Sequence, residues 1–103
     1  MLDVVRRTGG AVADVSDAEV VDSMRLLARS QGVFCETAGG VTVGVLRKLL
    51  ASGQLDPDAE TVIINSGDGL KTLDAIASSV TVPTAIKPTI EAFQAAGFER
   101  GAL

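Results

Sequence analysis

Two long segments of the chain carry apolar residues at the spacing of an amphipathic helix. In the first segment the apolar positions recur every three or four residues, and they are Val20, Met24, Leu27 and Ala28. The preceding residues, Ser16 to Glu19, have the pattern of a capping box, in which the Ser16 hydroxyl accepts from the Glu19 amide and the Glu19 carboxylate accepts from the Ser16 amide. Because Gly32 follows the last apolar turn, we predict a helix that begins after Ser16 and ends before Gly32.

The second segment repeats its apolar residues at the same spacing, at Val41, Val45, Leu46, Leu49 and Leu50. Arg47 and Lys48 are predicted to point outward, and Gly53 is predicted to end this helix. Three shorter segments also have helical patterns that end at glycine or at a polar residue. They are Leu2–Thr8, Leu70–Ser79 and Ile90–Ala96.

Other parts of the chain have the composition of strands. Thr61–Asn65 is β-branched and apolar without polar alternation until its end, which is typical of a strand that is buried on both faces of a parallel sheet. Val33–Cys35 is a shorter apolar run and predicts a second buried strand. Val82–Pro88 is predicted to be extended, and Pro83 favours an edge strand or a connector there. Ala11–Val15 fits a short strand or an extended link.

The order of these elements predicts an α/β fold, namely a partial open sheet flanked by helices with at least one parallel crossover. No internal repeat, linker or low-complexity tract divides residues 1–103, so we expect a single segment. Stable sheets usually contain three or more strands, and only two strands are clear in this sequence. We therefore expect the chain to be a piece of a larger α/β unit.

The composition narrows the possible partners. The 103 residues are 47% hydrophobic and only 3% aromatic, so the core must be built from Val, Leu, Ile and Ala, and some apolar surface is expected to face a partner. The net charge of −4 argues against a nucleic-acid partner, because phosphate binding needs clustered Lys and Arg. No apolar run approaches the ~20 residues of a membrane span, and no secretory signal is visible.

The chain has no histidine and one cysteine, Cys35. A Ser-His-Asp triad, a Cys-His pair and the usual zinc sites are therefore excluded, and no metal site is predicted. A single cysteine cannot form an internal disulfide, so we expect a reducing, cytoplasmic location. Cys35 is interpreted as a small buried hydrophobic residue and not as a reactive thiol.

A turn rich in glycine follows the predicted strand Thr61–Asn65 and contains Ser66, Gly67 and Gly69. Ligands of open α/β sheets bind beyond the carboxyl ends of strands, and glycines allow a ligand to approach the backbone closely. An ordinary strand-to-helix turn would explain the same residues. Asp68 fits a turn residue as well as a ligand, and Lys71 is interpreted as a surface charge in preference to an anion-binding residue.

A second motif, Glu-Thr-Ala-Gly-Gly, follows the predicted strand Val33–Cys35. Glu36 lies at the strand's carboxyl end, and Thr37 is predicted to cap the next helix. Gly39 and Gly40 lower the helix propensity of its first turn, which is easier to understand if another group packs closely against the backbone there. Capping with loose packing is the alternative explanation.

Together, the two motifs resemble those of a known family. The segment from Gly32 to Ala75 combines a Gly-Val-Phe-Cys-Glu-Thr-Ala start, a helix rich in Leu and Val, an apolar strand and a Ser-Gly-Asp-Gly-Leu-Lys end. In this combination and spacing it resembles the C-terminal part of threonine synthases. These are enzymes of the fold type II, tryptophan-synthase-β-like class, which use pyridoxal 5'-phosphate (PLP). The resemblance covers essentially the whole chain.

The resemblance implies roles for five residues. Ser66 would place its hydroxyl on the pyridine nitrogen of PLP, Gly67 and Gly69 would let the backbone pass under the ring, and Glu36 and Thr37 would line the pocket near the pyridine edge. A neutral hydroxyl does not enforce a pyridinium as a carboxylate would, which moderates the ring's electron withdrawal. The implied reaction converts O-phosphohomoserine and water to threonine and phosphate. An acid at Asp68 departs from the family pattern and is assigned no role.

Two parts of the family's site have no counterpart in this sequence. They are the lysine that binds PLP covalently and the glycine-rich loop that binds its phosphate, and both lie in the N-terminal portion of the family's enzymes. The lysines of this chain are Lys48, Lys71 and Lys87, and none matches that residue. We therefore expect no catalytic residue here, inactivity of the isolated chain, and the remainder of the parent enzyme as its partner.

Two other functions remain open. The chain could belong to a related enzyme such as a threonine dehydratase or a cysteine synthase, or it could be a stand-alone α/β module without enzymatic activity that binds a small ligand or a partner. Because Thr61–Asn65 would lack neighbouring strands, we also expect a homodimer that covers this edge, formed by strand exchange in one arrangement.

Overall fold

The computed structural model describes residues 1–80 and 84–97. Within these residues the chain forms five α-helices and one 3₁₀ turn, Gly69–Thr72, which leads directly into the fourth helix. The helices are α1 (Leu2–Thr8), α2 (Asp17–Gln31), α3 (Thr37–Ala51), α4 (Leu73–Ala77) and α5 (Ile90–Ala95). The five predicted helices are confirmed in position, although the predicted helix Leu70–Ser79 is divided between the 3₁₀ turn and α4.

The start of α2 is the predicted capping box. The Glu19 amide donates to Ser16 Oγ at 3.4 Å, and the Ser16 amide donates to Glu19 Oε2 at 2.7 Å. At the other end Gly32 adopts φ +68°, a left-handed conformation that glycine reaches without a steric penalty. Both ends of α2 are therefore fixed by local sequence.

Lys48 joins α3 to the beginning of α2, and its side chain, predicted to point outward, is 38% exposed. Its ammonium lies 3.1 Å from Glu19 Oε2 and donates to the Asp14 carbonyl oxygen at 2.8 Å. The Ser16 amide, and after it Lys48, lowers the pKa of Glu19 to about 2. A lysine on a polar helix face finds such partners only when a second helix packs beside it, and this packing is not visible in the local sequence.

The core of the described residues lies between α2 and α3. Its buried apolar side chains are Val20, Met24, Cys35, Val43 and Ile76. At Gly40 the two helices approach so closely that a Cβ atom would lie 2.7 Å from the Val20 carbonyl oxygen and 2.8 Å from Met24 Cγ. The expectation of a closely packed group at this glycine is confirmed, and the group is the α2 helix.

The predicted open sheet is not formed by the described residues. Within residues 1–80 and 84–97, Thr61–Asn65 forms no strand and has no pairing partner, and its side chains at Val62 and Ile64 are 84% and 76% exposed. The β-branched sequence favours an extended backbone, but a sheet also needs a neighbouring strand to complete its hydrogen bonds, and the described part of the chain provides none. The prediction of burial is therefore wrong for Thr61–Asn65, and Val33–Cys35 forms only an isolated bridge, at Cys35.

The remaining segments connect the helices. Ala11–Val15 is a link without regular secondary structure, and residues 84–88 have none either. Pro83 and Val82, which were part of the predicted edge strand or connector, lie outside the described residues. Across residues 1–80 and 84–97, every helix is too short or too polar to cross a lipid bilayer.

Candidate functional site

The two sequence motifs meet in the structure through a short antiparallel bridge between Cys35 and Asp68. The Glu36 amide donates to the Gly67 carbonyl oxygen at 3.1 Å, and the Gly69 amide donates to the Phe34 carbonyl oxygen at 3.0 Å. These two hydrogen bonds fix the Ser66–Gly69 turn against the residues that precede α3. The expected proximity of the two motifs is thus present without a sheet.

The 3₁₀ turn adds a second connection to α3. Asp68 accepts a hydrogen bond from the Leu70 amide at 2.8 Å and so begins the turn, which is the structural role expected of a turn aspartate. Further along, Thr72 Oγ1 accepts from the Thr37 amide at 3.2 Å. Because the first amides of a helix have no partner within the helix, this hydroxyl satisfies a donor at the start of α3.

Thr37 does not cap α3, contrary to the prediction. The N-cap position is occupied by Glu36, whose side chain makes no capping hydrogen bond, and Thr37 is the first helical residue. Thr37 instead lines a cavity of about 510 Å³ between the beginnings of α2 and α3 and helix α4. The other residues of this cavity are Asp17, Val20, Val21, Val41 and Ala75.

The Glu36 carboxylate pairs with Lys71 across the motif junction. The distance from Lys71 Nζ to Glu36 Oε2 is 3.3 Å, and the Glu36 side chain is only 16% exposed while that of Lys71 is 63% exposed. The interpretation of Lys71 as a surface charge is therefore incomplete, because its ammonium is the charged partner of a mostly buried carboxylate.

Both glycines of the Ser66–Gly69 turn are in contact with side chains of the first motif. A Cβ at Gly67 would overlap the Glu36 carboxylate, and one at Gly69 would lie within 2.6 Å of the Phe34 ring carbons Cδ1 and Cζ. Packing within this chain is thus sufficient to require small residues at both positions. Whether these glycines also contact a cofactor stays a prediction.

Cys35 lies under the same junction and is fully buried. Burial raises the pKa of its thiol, so the thiolate that a nucleophile or metal ligand needs is disfavoured. A Cβ at Gly39 would be 2.6 Å from both Cys35 Cβ and Asn65 Oδ1. The interpretation of Cys35 as a buried packing residue is confirmed.

Ser66 differs from its neighbours because its side chain is exposed. Within residues 1–80 and 84–97 its hydroxyl has no hydrogen-bond partner. It lies immediately before the Gly67 carbonyl that receives the Glu36 hydrogen bond. The backbone on which Ser66 stands is therefore held, while its hydroxyl can donate to or accept from a ligand.

The structure joins the turn that contains Ser66, Gly67 and Gly69 to the residues around Glu36, and the cofactor-binding roles of these residues stay a prediction. It also adds two contacts that the sequence did not identify, from the Phe34 ring and the Thr72 hydroxyl. The sequence indicates only that Phe34 belongs to an apolar run. It gives no indication of a role for Thr72, because the hydrogen-bond partner of Thr72 is 35 positions away along the chain.

Comparison with known proteins connects these motifs to one family. The family described as "Pyridoxal-phosphate dependent enzyme" matches residues 1–67 of this chain. Three curated relatives, all named threonine synthase, match over longer segments. The protein of Methanocaldococcus jannaschii is 38% identical over 86 residues, that of Halalkalibacterium halodurans 31% over 90 residues, and that of Methanosarcina acetivorans 32% over 97 residues.

These matches cover most of this chain but only a small part of each relative. They include 84%, 87% and 94% of this chain, but only 21%, 25% and 24% of the respective relatives. The chain therefore spans about a quarter or less of the length of these curated relatives.

Proposed function

The chain belongs to the family of pyridoxal-phosphate dependent enzymes, and from this membership we propose that it forms the C-terminal part of a threonine synthase. PLP is the cofactor of this family. In the proposed assembly the rest of the parent enzyme supplies the covalent attachment of PLP and the binding of its phosphate. The complete enzyme converts O-phosphohomoserine and water to threonine and phosphate in the cytoplasm.

The observation that carries this proposal is the free Ser66 hydroxyl at the junction of the two motifs. The chemistry of this donor fits the nitrogen edge of a pyridine ring, because a hydroxyl can donate one hydrogen bond and remains neutral. The hydrogen bond from the Glu36 amide to the Gly67 carbonyl fixes the backbone beside it. An exposed polar side chain on a fixed turn is suited to binding a ligand with defined geometry.

Bound PLP supplies an electron-withdrawing ring that stabilises negative charge on the substrate. Ser66 would hold the ring nitrogen through its hydroxyl, which has no negative charge that would favour protonation of that nitrogen. Glu36 and Thr37 line the neighbouring edge of the pocket. Gly67 and Gly69 keep the turn thin enough for the backbone to pass beneath the ring.

The lysines of the chain support the proposal that it is inactive alone. Lys48 is engaged by Glu19 and by the Asp14 carbonyl, and Lys71 is engaged by Glu36. Lys87 lies in the connection before α5, away in sequence from both motifs. None of the three matches the lysine that binds PLP covalently in this family, so that lysine is proposed to come from the remainder of the enzyme.

A chimeric enzyme tests the proposed function directly. In this chimera the 86 matched residues of the M. jannaschii threonine synthase are replaced by this chain, and phosphate release from O-phosphohomoserine is measured with PLP present. We expect the chimera to release phosphate and the isolated chain to release none. A chimera that binds PLP but acts only on threonine or O-acetylserine would favour the dehydratase or cysteine synthase alternative. Phosphate release by the isolated chain would contradict its proposed inactivity.

A further inference from the structure

Glu36 is a mostly buried carboxylate at the centre of the site. It occupies the N-cap position of α3 but makes no capping hydrogen bond with its side chain. The carboxylate lies against Gly67 instead, where a Cβ atom would overlap it. Its location is therefore not explained by capping of its own helix, which is the usual role of a polar side chain at this position.

Lys71 is the only side chain in the described residues that forms an ion pair or a hydrogen bond with this carboxylate. Placing a charged group in a largely water-excluded site is costly unless a partner compensates it. Removal of one partner from such a pair leaves the other charge uncompensated, which costs more than the loss of a pair between two exposed groups. Since the Glu36 side chain is only 16% exposed, loss of Lys71 should resemble the breaking of a buried ion pair more than the breaking of an exposed one.

The ion pair also links the start of α3 to the turn that follows Ser66. Glu36 lies on the α3 side, where its amide holds the Gly67 carbonyl, and Lys71 lies in the 3₁₀ turn that follows Gly69. The next residue, Thr72, accepts the Thr37 amide. Consecutive residues of the 3₁₀ turn thus contact consecutive residues at the start of α3, and Ser66 immediately precedes the segment that these contacts hold.

We propose that Lys71 is a positioning residue of the site: its ammonium holds the Glu36 carboxylate against Gly67 and thereby fixes the turn that presents Ser66. Lys71 also neutralises the Glu36 carboxylate that lies against Gly67, which lowers the negative charge that a ring bound at Ser66 would face. This second step depends on the proposed function, whereas the positioning of the turn does not.

Hydrogen exchange in the 103-residue chain without cofactor tests the positioning. The two probes are the amides of Glu36 and Gly69, because their hydrogen bonds form the bridge between the motifs. The variant Lys71→Met keeps most of the aliphatic side chain and removes the charge. We expect it to speed exchange at both amides by about tenfold, as loss of a partner of a mostly buried charge should do.

Three further variants separate positioning by charge from a general loss of stability. Lys71→Arg should exchange as slowly as the wild-type chain at both amides, because arginine keeps the positive charge. Glu36→Gln combined with Lys71→Met should be no worse than Lys71→Met alone, because the uncompensated charge is gone. Lys87→Met is the matched control, since Lys87 is an exposed lysine whose side chain has no partner in the described residues, and it should leave both amides unchanged.

The outcomes decide the proposal in either direction. Equal exchange at Glu36 and Gly69 in the wild-type chain and in Lys71→Met would overturn it, as would wild-type amides that exchange like those of a free peptide. If exchange is as fast in Lys71→Arg as in Lys71→Met, the positive charge is not the cause of the slow exchange. The exchange experiment contains no PLP, so its result does not depend on the chimera. Slow exchange that depends on Lys71 supports the positioning role even if the chimera is inactive. If exchange does not depend on Lys71, the positioning role is refuted even if the chimera is active.

Discussion

The Lys48 ammonium lies 3.1 Å from the Glu19 carboxylate, so a residue near the end of α3 reaches the first turn of α2. The same carboxylate accepts from the Ser16 amide at 2.7 Å and from the Ser16 hydroxyl at 2.9 Å. Glu19 thus has two functions, because it completes a local cap and also anchors the second helix of the core. Its charged form is preferred in the folded chain.

The stability of the chain should depend on pH through Glu19. These contacts lower its pKa from 4.5 to about 2, so the unfolded chain takes up a proton more readily than the folded chain. The resulting stabilisation is fully present above about pH 4.5 and is lost as the pH falls towards 2. We expect the melting temperature, followed by circular dichroism from pH 6 to pH 2, to fall less in Glu19→Gln than in the wild-type chain.

The matched control for this experiment is Glu91→Gln, which changes an exposed glutamate in the first turn of α5. It should retain the wild-type dependence on pH below 4.5. Identical pH profiles for Glu19→Gln and the wild-type chain would show that the contacts of Glu19 do not stabilise the fold.

Substitution of Gly69 should loosen the junction of the two motifs. In Gly69→Ala the new Cβ would lie within 2.6 Å of three Phe34 ring carbons, so the ring or the turn must move. Overpacking of this kind costs about 1–3 kcal/mol in the free energy of unfolding. Urea denaturation followed by circular dichroism measures this loss, and the additional substitution Phe34→Leu should recover part of it.

Gly10→Ala serves as the control, because its Cβ would meet Thr8 Oγ1 and Val5 Cγ1 at 3.5 Å, an ordinary contact distance. That variant should unfold at the urea concentration of the wild-type chain. If Gly69→Ala does so as well, then Phe34 does not pack against the turn as the structure describes.

The helices could be predicted from the sequence because their determinants are local. The residues from Ser16 to Glu19 contain both halves of the capping box, and Gly32 provides the left-handed end of α2. The role of Gly40 was predicted only in outline. The sequence indicated that something packs closely there, but the packing partner, Val20, is 20 positions away and could not be identified from spacing.

The sheet could not be predicted in the same way, because pairing depends on a neighbour and not on the strand alone. Thr61–Asn65 has the composition of a buried strand, but in the described residues it forms no strand and is exposed. For the candidate site, the sequence brought Glu36 and Ser66 together through their motifs. The ion pair with Lys71 was missed because it joins residues 35 positions apart, and nothing in either motif alone specifies it.

Ser66 should contribute to cofactor binding and not to folding. In the chimera, Ser66→Ala removes one hydrogen bond to the ring nitrogen, which should weaken PLP binding by about fivefold to tenfold. Titration with PLP, followed by its visible absorbance, measures this change. Because the Ser66 side chain is exposed and has no partner in the described residues, the far-ultraviolet circular dichroism of the 103-residue chain should be unaffected.

Ser78→Ala is the control for this substitution, since Ser78 is also an exposed serine without a side-chain partner in the described residues. It should leave the PLP titration unchanged, and Ser66→Thr should preserve binding because it keeps the hydroxyl. Wild-type affinity in Ser66→Ala would remove Ser66 from the cofactor site while leaving the family membership intact.

The segment Thr61–Asn65 should cause the isolated chain to associate. Val62 and Ile64 expose most of their apolar side chains, and the segment's backbone has no pairing strand in the described residues. Unpaired segments of this kind pair with other chains, so we expect a homodimer. Light scattering over a range of protein concentrations should show the dimer for the wild-type chain and a monomer for the double variant Val62→Lys and Ile64→Lys.

Val12→Lys distinguishes this segment from apolar exposure in general, because Val12 is similarly exposed in the link between α1 and α2. It should dimerise like the wild-type chain, since the charge is placed away from Thr61–Asn65. A wild-type chain that remains monomeric at every concentration would refute the dimer. A dimer that survives the double lysine substitution would place the interface elsewhere, because two ammonium groups at positions 62 and 64, which share one face of a strand, oppose both apolar contact and strand pairing.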